Sequence, residues 1–280
     1  MTPSPQTKEE CRKIFEKGLS IYSKKDYTSA LPYFKKMDHR EFEVLKYYHL
    51  GLTYIQLGQF ENGLTHYRKI HEIPPSVEGI EYDRIMYSLY INMGSTLQVL
   101  ARRKQKPELF EEAITCYTYA LQIKDFDPRV WNNLGNAYLD MNKFQDAIRC
   151  FNKAIKLDDE FPEAYYSLSL VYESMKMYEK AVEVLKKGLR WKARNKTYLN
   201  RIAGLTFGLG NFQEAKEYAK RAVDVKPDDL TANKNLSLIL YNLGEYEEAF
   251  TYYQKLLLIN PEFKEPEVEG IFEDLKKKIS

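Results

Sequence analysis

Cysteine is scarce in this sequence, and histidine hardly less so. Cys11, Cys116 and Cys150 form an odd set with no CxxC pair and no nearby pair of histidines, which argues against a zinc site and against a disulfide framework. Their expected role is that of small buried hydrophobes. The four histidines, His39, His49, His66 and His71, all fall between residues 39 and 71. His66 and His71 are five residues apart and share no helical face, so they are not expected to ligate metal together. An excess of one charge is also missing. Against 42 Lys and Arg stand 40 Asp and Glu, leaving +2, far from the positive surplus that displacing counterions from nucleic acid requires. No run of 18 apolar residues is present to span a bilayer. The opening MTPSPQTKEE lacks the apolar core of a secretory signal, so a cytoplasmic location is expected. Glycine-rich phosphate loops, HExxH and GxSxG are absent as well. No catalytic residues, metal site, cofactor or small-molecule substrate are therefore expected.

What the chain does contain is repetition. Residues 128–161, PRVWNNLGNAYLDMNKFQDAIRCFNKAIKLDDEF, read as two amphipathic helices joined by a turn at 140–143. Asp127 stands where an N-cap belongs, and Pro128 suits a first helical turn. Trp131, Leu134, Gly135 and Tyr138 mark the first helix. Ala147, Phe151 and Ala154 mark the second, at the four-and-three spacing of one helical face. Ala147 has counterparts at Ala113, Ala181, Ala215 and Ala249, each 34 residues from the next. Three positions before each alanine stands an aromatic residue: Phe110, Phe144, Tyr178, Phe212 and Tyr246. Tyr27 with Ala30, and Phe60 with Gly63, continue the pattern upstream. The place of Gly135 is always taken by a small residue (Gly18, Gly51, Gly94, Ser169, Ala203, Ser237), which lets two paired helices approach closely.

A 34-residue period with Trp, Leu, Gly and Tyr, then Ala, Phe and Ala, then Pro resembles the tetratricopeptide repeat (TPR). The resemblance covers about residues 11 to 263, and five of seven units match it strongly. It implies an all-α, right-handed superhelical solenoid of about seven helix-turn-helix units, each burying surface only against its neighbours. The units fall near 11–43, 44–77, 78–127, 128–161, 162–195, 196–229 and 230–263, the second ending near Pro75. Residues 1–10 are expected to be disordered. The third unit is 16 residues longer than its siblings. Unbroken apolar spacing through Ile85, Met86, Leu89, Met93, Leu97 and Leu100 predicts that its first helix absorbs the surplus. The basic run 101–106 that follows is either a solvated loop or a binding patch. Residues 264–280 predict a capping helix with an apolar stripe of Val268, Ile271, Phe272, Leu275 and Ile279. That helix either covers the seventh unit or binds a partner.

The resemblance also implies a function: a non-catalytic scaffold or adaptor that takes a protein or peptide ligand in a concave groove lined by the first helices. At the matching groove positions stand Asn92, Asn133 and Asn235, a ladder interrupted by Ser167 and Arg201. Asn132, Asn136, Asn200 and Lys234 lie beside it. Amide side chains donate and accept at once, which suits an extended peptide backbone. Tyr166, Leu170 and Tyr241 would supply apolar contacts, as would Tyr48 and Phe207. The carboxylate clamp of one TPR subclass is poorly matched, since Asn132 takes a lysine's place and Ser167 an asparagine's. Arg201 and Lys234 could still meet one carboxylate. Two alternatives stay open. Single-stranded RNA would need a groove rich in Arg and Lys with stacking aromatics, and self-assembly would use the third unit or the end helix.

Overall fold

The computed structural model describes residues 6–73, 80–263 and 265–279, and every regular element in them is a helix. The chain forms two compact units, Met1–Asp146 and Ala147–Ser280. In the first, α1 (Lys8–Ser23) pairs with α2 (Tyr27–Lys36), and α3 (Glu43–Gln56) with α4 (Phe60–Ile70). Next come α5 (Ile80–Lys104) and α6 (Pro107–Ile123), with α7 (Pro128–Asp140) packed on both. Helix α8 (Phe144–Leu157) begins at the end of the first unit and lies mostly within the second. The second unit then pairs α9 (Pro162–Ser174) with α10 (Tyr178–Leu189), and α11 (Lys196–Gly208) with α12 (Phe212–Val225). Its last hairpin is α13 (Leu230–Asn242) and α14 (Tyr246–Ile259), and α15 (Pro266–Ile279) packs against both of those helices.

The hairpin turns repeat more strictly than their residues do. Seven of them each hold one residue at positive φ: Lys25, Gly58, Gln105, Asn142, Lys176, Gly210 and Gly244. In six, the following N–H donates to the carbonyl five residues back, as in Lys143 to Tyr138 (2.9 Å), Met177 to Tyr172 (2.8 Å) and Glu245 to Leu240 (2.9 Å). A left-handed residue with this bond satisfies the loose carbonyls at the end of a helix and reverses the chain. The alanine ladder is buried throughout: Ala113, Ala147, Ala181, Ala215 and Ala249 expose no surface. In the first unit the small glycines of the first helices answer to a ring. A Cβ on Gly51 would stand 2.3 Å from the Tyr67 ring, and one on Gly94 would stand 2.7 Å from Tyr117. An aromatic side chain of the second helix thus lies over bare backbone of the first.

Two expectations need amending, and for the end helix one of its two alternatives is met. Helix α1 begins at Lys8, so residues 6–10 are not a disordered segment. Thr7 and Glu10 cap it reciprocally, and the Gln6 amide donates to the Lys36 carbonyl (2.8 Å) and accepts from Asp38 N–H (3.0 Å). Residues 1–5 lie outside the described residues. The basic run is not a solvated loop, because α5 continues unbroken through Lys104. Arg102 forks onto Asp140 (2.7 Å), the Arg103 guanidinium sits 4.7 Å over Phe60, and Lys104 pairs with Glu61. These cations also complement the partial negative charge at the end of α5. Helix α15 covers the seventh unit with Leu275 fully buried, while Tyr241 donates to Asp274 (2.6 Å). The side chains of Val268 and Phe272, and Pro75, lie outside the described residues.

Two substitutions test this architecture. Gly210 has φ near +80° and open space around the place of a Cβ, so Gly210→Ala should cost about 1 kcal/mol through backbone strain alone. Ala181→Leu should overpack its hairpin and cost roughly 1–3 kcal/mol. Urea midpoints measure both, and an unchanged midpoint for Ala181→Leu would mean that the repeat register is wrong.

Candidate functional cleft of the second unit

Helices α9, α11 and α13 are the first helices of three successive hairpins, and between them they form a cleft of about 480 Å³. Tyr166 and Glu173 come from α9. Lys196, Asn200, Arg201 and Gly204 come from α11, and Asn235 and Thr231 from α13, with Asp229 at that helix's N-cap. The 34-residue period explains the meeting, since Tyr166 and Asn200 are one period apart, as are Arg201 and Asn235. Equivalent faces of neighbouring helices carry them to one place.

Charge in the cleft is balanced from within. Arg201 forks onto Glu173, Nε meeting Oε1 at 2.8 Å and the second nitrogen meeting Oε2. The Glu173 carboxylate raises the Arg201 guanidinium further above its ordinary value. Lys196 pairs with one oxygen of Asp229. The other oxygen accepts from the Asn200 amide (3.1 Å) and from Ala232 N–H (3.1 Å). Burial pushes the Asp229 carboxyl up, but Lys196, the Ala232 N–H and Asn200 together outweigh it, and the group ends below the usual carboxylate range. The amides beside these pairs are less committed. Asn200 Oδ1 is shielded and has no partner among the described residues, and the Asn235 amide is 3.5 Å from the Asn200 carbonyl, at the limit of hydrogen bonding.

Of the groove residues expected from the repeat, Tyr166, Asn200, Arg201 and Asn235 line this cleft. Leu170 is half-buried on α9 and outside its lining. Lys234 and Tyr241 are taken up by the C-terminal segment. Lys234 contacts both oxygens of Glu265 at 3.0 Å, and Tyr241 bonds Asp274. Arg201 and Lys234 therefore do not converge on one carboxylate, because each already holds its own. In the first unit, Asn133 and Asn136 are half-buried on α7, and the Asn92 amide lies 3.4 Å from the Tyr48 hydroxyl. Asn132 corrects the expectation, being only 7% exposed, with its Oδ1 unpaired among the described residues. Packing around α7 takes it off the open face. Glu173, Lys196 and Asp229 escaped notice. Glu173 stands at the twelfth place of its unit, in register with Leu139, Phe207 and Tyr241. Asp229 repeats the cap of Asp127 three periods on.

His49, at a groove position of the first unit, is enclosed by rings. It stacks on Phe34 at 5.2 Å and meets Phe15 and Tyr48 edge-on at 5.1 and 5.3 Å. Its Nδ1 has no partner among the described residues.

Family models described as tetratricopeptide repeat match residues 47–76, 128–161, 162–195 and 205–262, together over half of the sequence. The chain belongs to the tetratricopeptide repeat family. Its solved structural neighbours share the fold at low identity. The C-terminal part of a TPR protein from Cytophaga hutchinsonii aligns with a TM-score of 0.71 at 16% identity, covering 92% of this chain and 98% of that one. PilF of Pseudomonas aeruginosa gives 0.59 at 20%, covering 85% and 99%. YrrB, described as a TPR protein with an unusual peptide-binding site, gives 0.50 at 18%, covering 68% and 91%. A sequence comparison with curated proteins found no match. Among the described residues, no helix is long and apolar enough to cross a membrane.

Burial lowers the His49 pKa to about 4 from its ordinary 6.5. The folded state then binds fewer protons than the unfolded one between those values, so stability should fall as pH drops from 6.5 toward 4. The loss should reach about 2–3 kcal/mol. His49→Leu should flatten that limb of the urea-midpoint profile, and an unchanged acid limb would place the sensitivity elsewhere.

Proposed function

We propose that the protein is a non-catalytic interaction scaffold and that the α9–α11–α13 cleft receives an extended segment of a partner protein. The observation that carries this is the convergence of Tyr166, Asn200, Arg201 and Asn235, one face from each of three successive helices, on one cleft. Asn235 offers both a donor and an acceptor, as a peptide group requires. Tyr166 offers an apolar ring with a polar tip. The neighbour YrrB has a peptide-binding site by its description, which supports the same use of the fold here. Single-stranded RNA fits less well, because Lys196 and Arg201 are each held by a carboxylate and offer phosphate little free charge.

Peptide display on the immobilised protein, followed by affinity measurement with the best selected peptide, tests the proposal. Asn235→Ala combined with Tyr166→Leu should weaken that peptide by roughly tenfold or more, from lost hydrogen bonds and ring contact. Among the described residues Asn235 makes one long side-chain bond, so Asn235→Ala alone should hardly move the melting temperature. Tyr166 packs on Tyr198 at 5.9 Å, and a melting curve checks that the double variant stays folded. Equal weakening by Asn133→Ala with Asn136→Ala would give α7 a binding surface of its own. Unchanged affinity in the Asn235 variant would remove the cleft as the site.

A further inference from the structure

Taking the cleft as the ligand site, as proposed above, we infer that Glu173 and Asp229 set its specificity: the bound segment is uncharged where it passes Arg201 and Lys196, and an acidic segment is refused. Both carboxylates are built into the wall. The Glu173 side chain is 13% exposed and grips Arg201 at two points. That of Asp229 is 11% exposed and engages Lys196, Asn200 and the N-terminal end of α13. These pairs differ from ordinary surface pairs on the carboxylate side, while Arg201 and Lys196 keep 41% and 42% of their side chains exposed to a ligand. Lys8 and Glu41, by contrast, leave both partners more than half exposed, at 56% and 51%, and such pairs hold one another weakly.

A ligand carboxylate reaching Arg201 must either displace a two-point partner already in place or sit beside it against like charge. The same holds at Lys196, where Asp229 is further anchored by the helix it caps. Glu173 thus acts as the resident occupant of Arg201. What a ligand can still use is the Asn235 amide and the Tyr166 ring, which accept a peptide group and an apolar side chain. Selectivity here comes as much from a charge that repels the wrong ligand as from contacts that attract the right one.

Fluorescence anisotropy with two labelled probes, a tetraglutamate peptide and its tetraglutamine counterpart, tests this at low and high salt. The wild type should bind tetraglutamate no more tightly than tetraglutamine. Glu173→Gln keeps the shape but removes the charge, and should gain roughly tenfold for tetraglutamate alone. High salt should abolish the gain, as should adding Arg201→Gln. Melting curves establish that each variant folds. Should Glu173→Gln not fold, Asp229→Asn retains a capping oxygen and should show the same gain, dependent on Lys196. A wild type that prefers tetraglutamate, or no gain on removing either carboxylate, overturns the inference. The two ideas fail separately. Weakening of the selected peptide by the Asn235 variant without any acidic gain sinks the charge rule alone. An acidic gain with the selected peptide unaffected sinks the peptide cleft alone.

Discussion

The structure depends first on how closely the two helices of each hairpin approach. Where Tyr67 lies over Gly51 and Tyr117 over Gly94, a single added carbon would collide with the ring. That contact lets the interior be built from alanines, and the fully buried Ala113, Ala147, Ala181, Ala215 and Ala249 are what such close spacing leaves room for. The left-handed turn is the other half of the same constraint. It brings the second helix back at once, so that in the first unit a ring of the second helix meets the glycine of the first. The packing of hairpin on hairpin follows, and with it the alignment of the first helices that makes a cleft at all.

Much of this was legible in the residues. The alanine and aromatic ladders, the Asp127 and Pro128 start of α7, and the lengthened α5 could all be read from spacing, because periodicity reports which face is buried. The turn at 140–143 was legible, and its Asn142 is a residue type that tolerates the left-handed conformation, as glycine does at Gly58, Gly210 and Gly244. At Lys25, Gln105 and Lys176 the backbone imposes that conformation on residues that carry no sign of it. The start of α1 was hidden for a related reason. Gln6 is ordered by reaching across to Lys36 and Asp38, a contact some thirty residues away that no local pattern announces.

The cleft was half legible. Matching positions identified Tyr166, Asn200, Arg201 and Asn235 because residues one period apart share a face. Which charges are free could not be read the same way. Arg201 meets Glu173 across two hairpins, and Lys196 meets the cap of the next, so their availability is a property of stacking and not of composition. The same holds for Asn132, whose position suggests an open amide and whose packing encloses it. In a repeat protein the period thus tells where a side chain starts, while the neighbouring units decide what it can still bind.

Helix α5 has 25 residues against 13 in α7, an axial length of about 37 Å against about 20 Å at 1.5 Å per residue. Its middle is clamped by buried Leu89, Met93 and Leu97, and nearer its start the Tyr87 hydroxyl is tied to Asp127 at 2.7 Å. Buried side chains continue along it from Met86 to Ala101, and its last turn is pinned by Arg102, Arg103 and Lys104. A helix held along so much of its length, touching α4 before it and α7 after it, ties the second hairpin to the fourth through a single continuous rod.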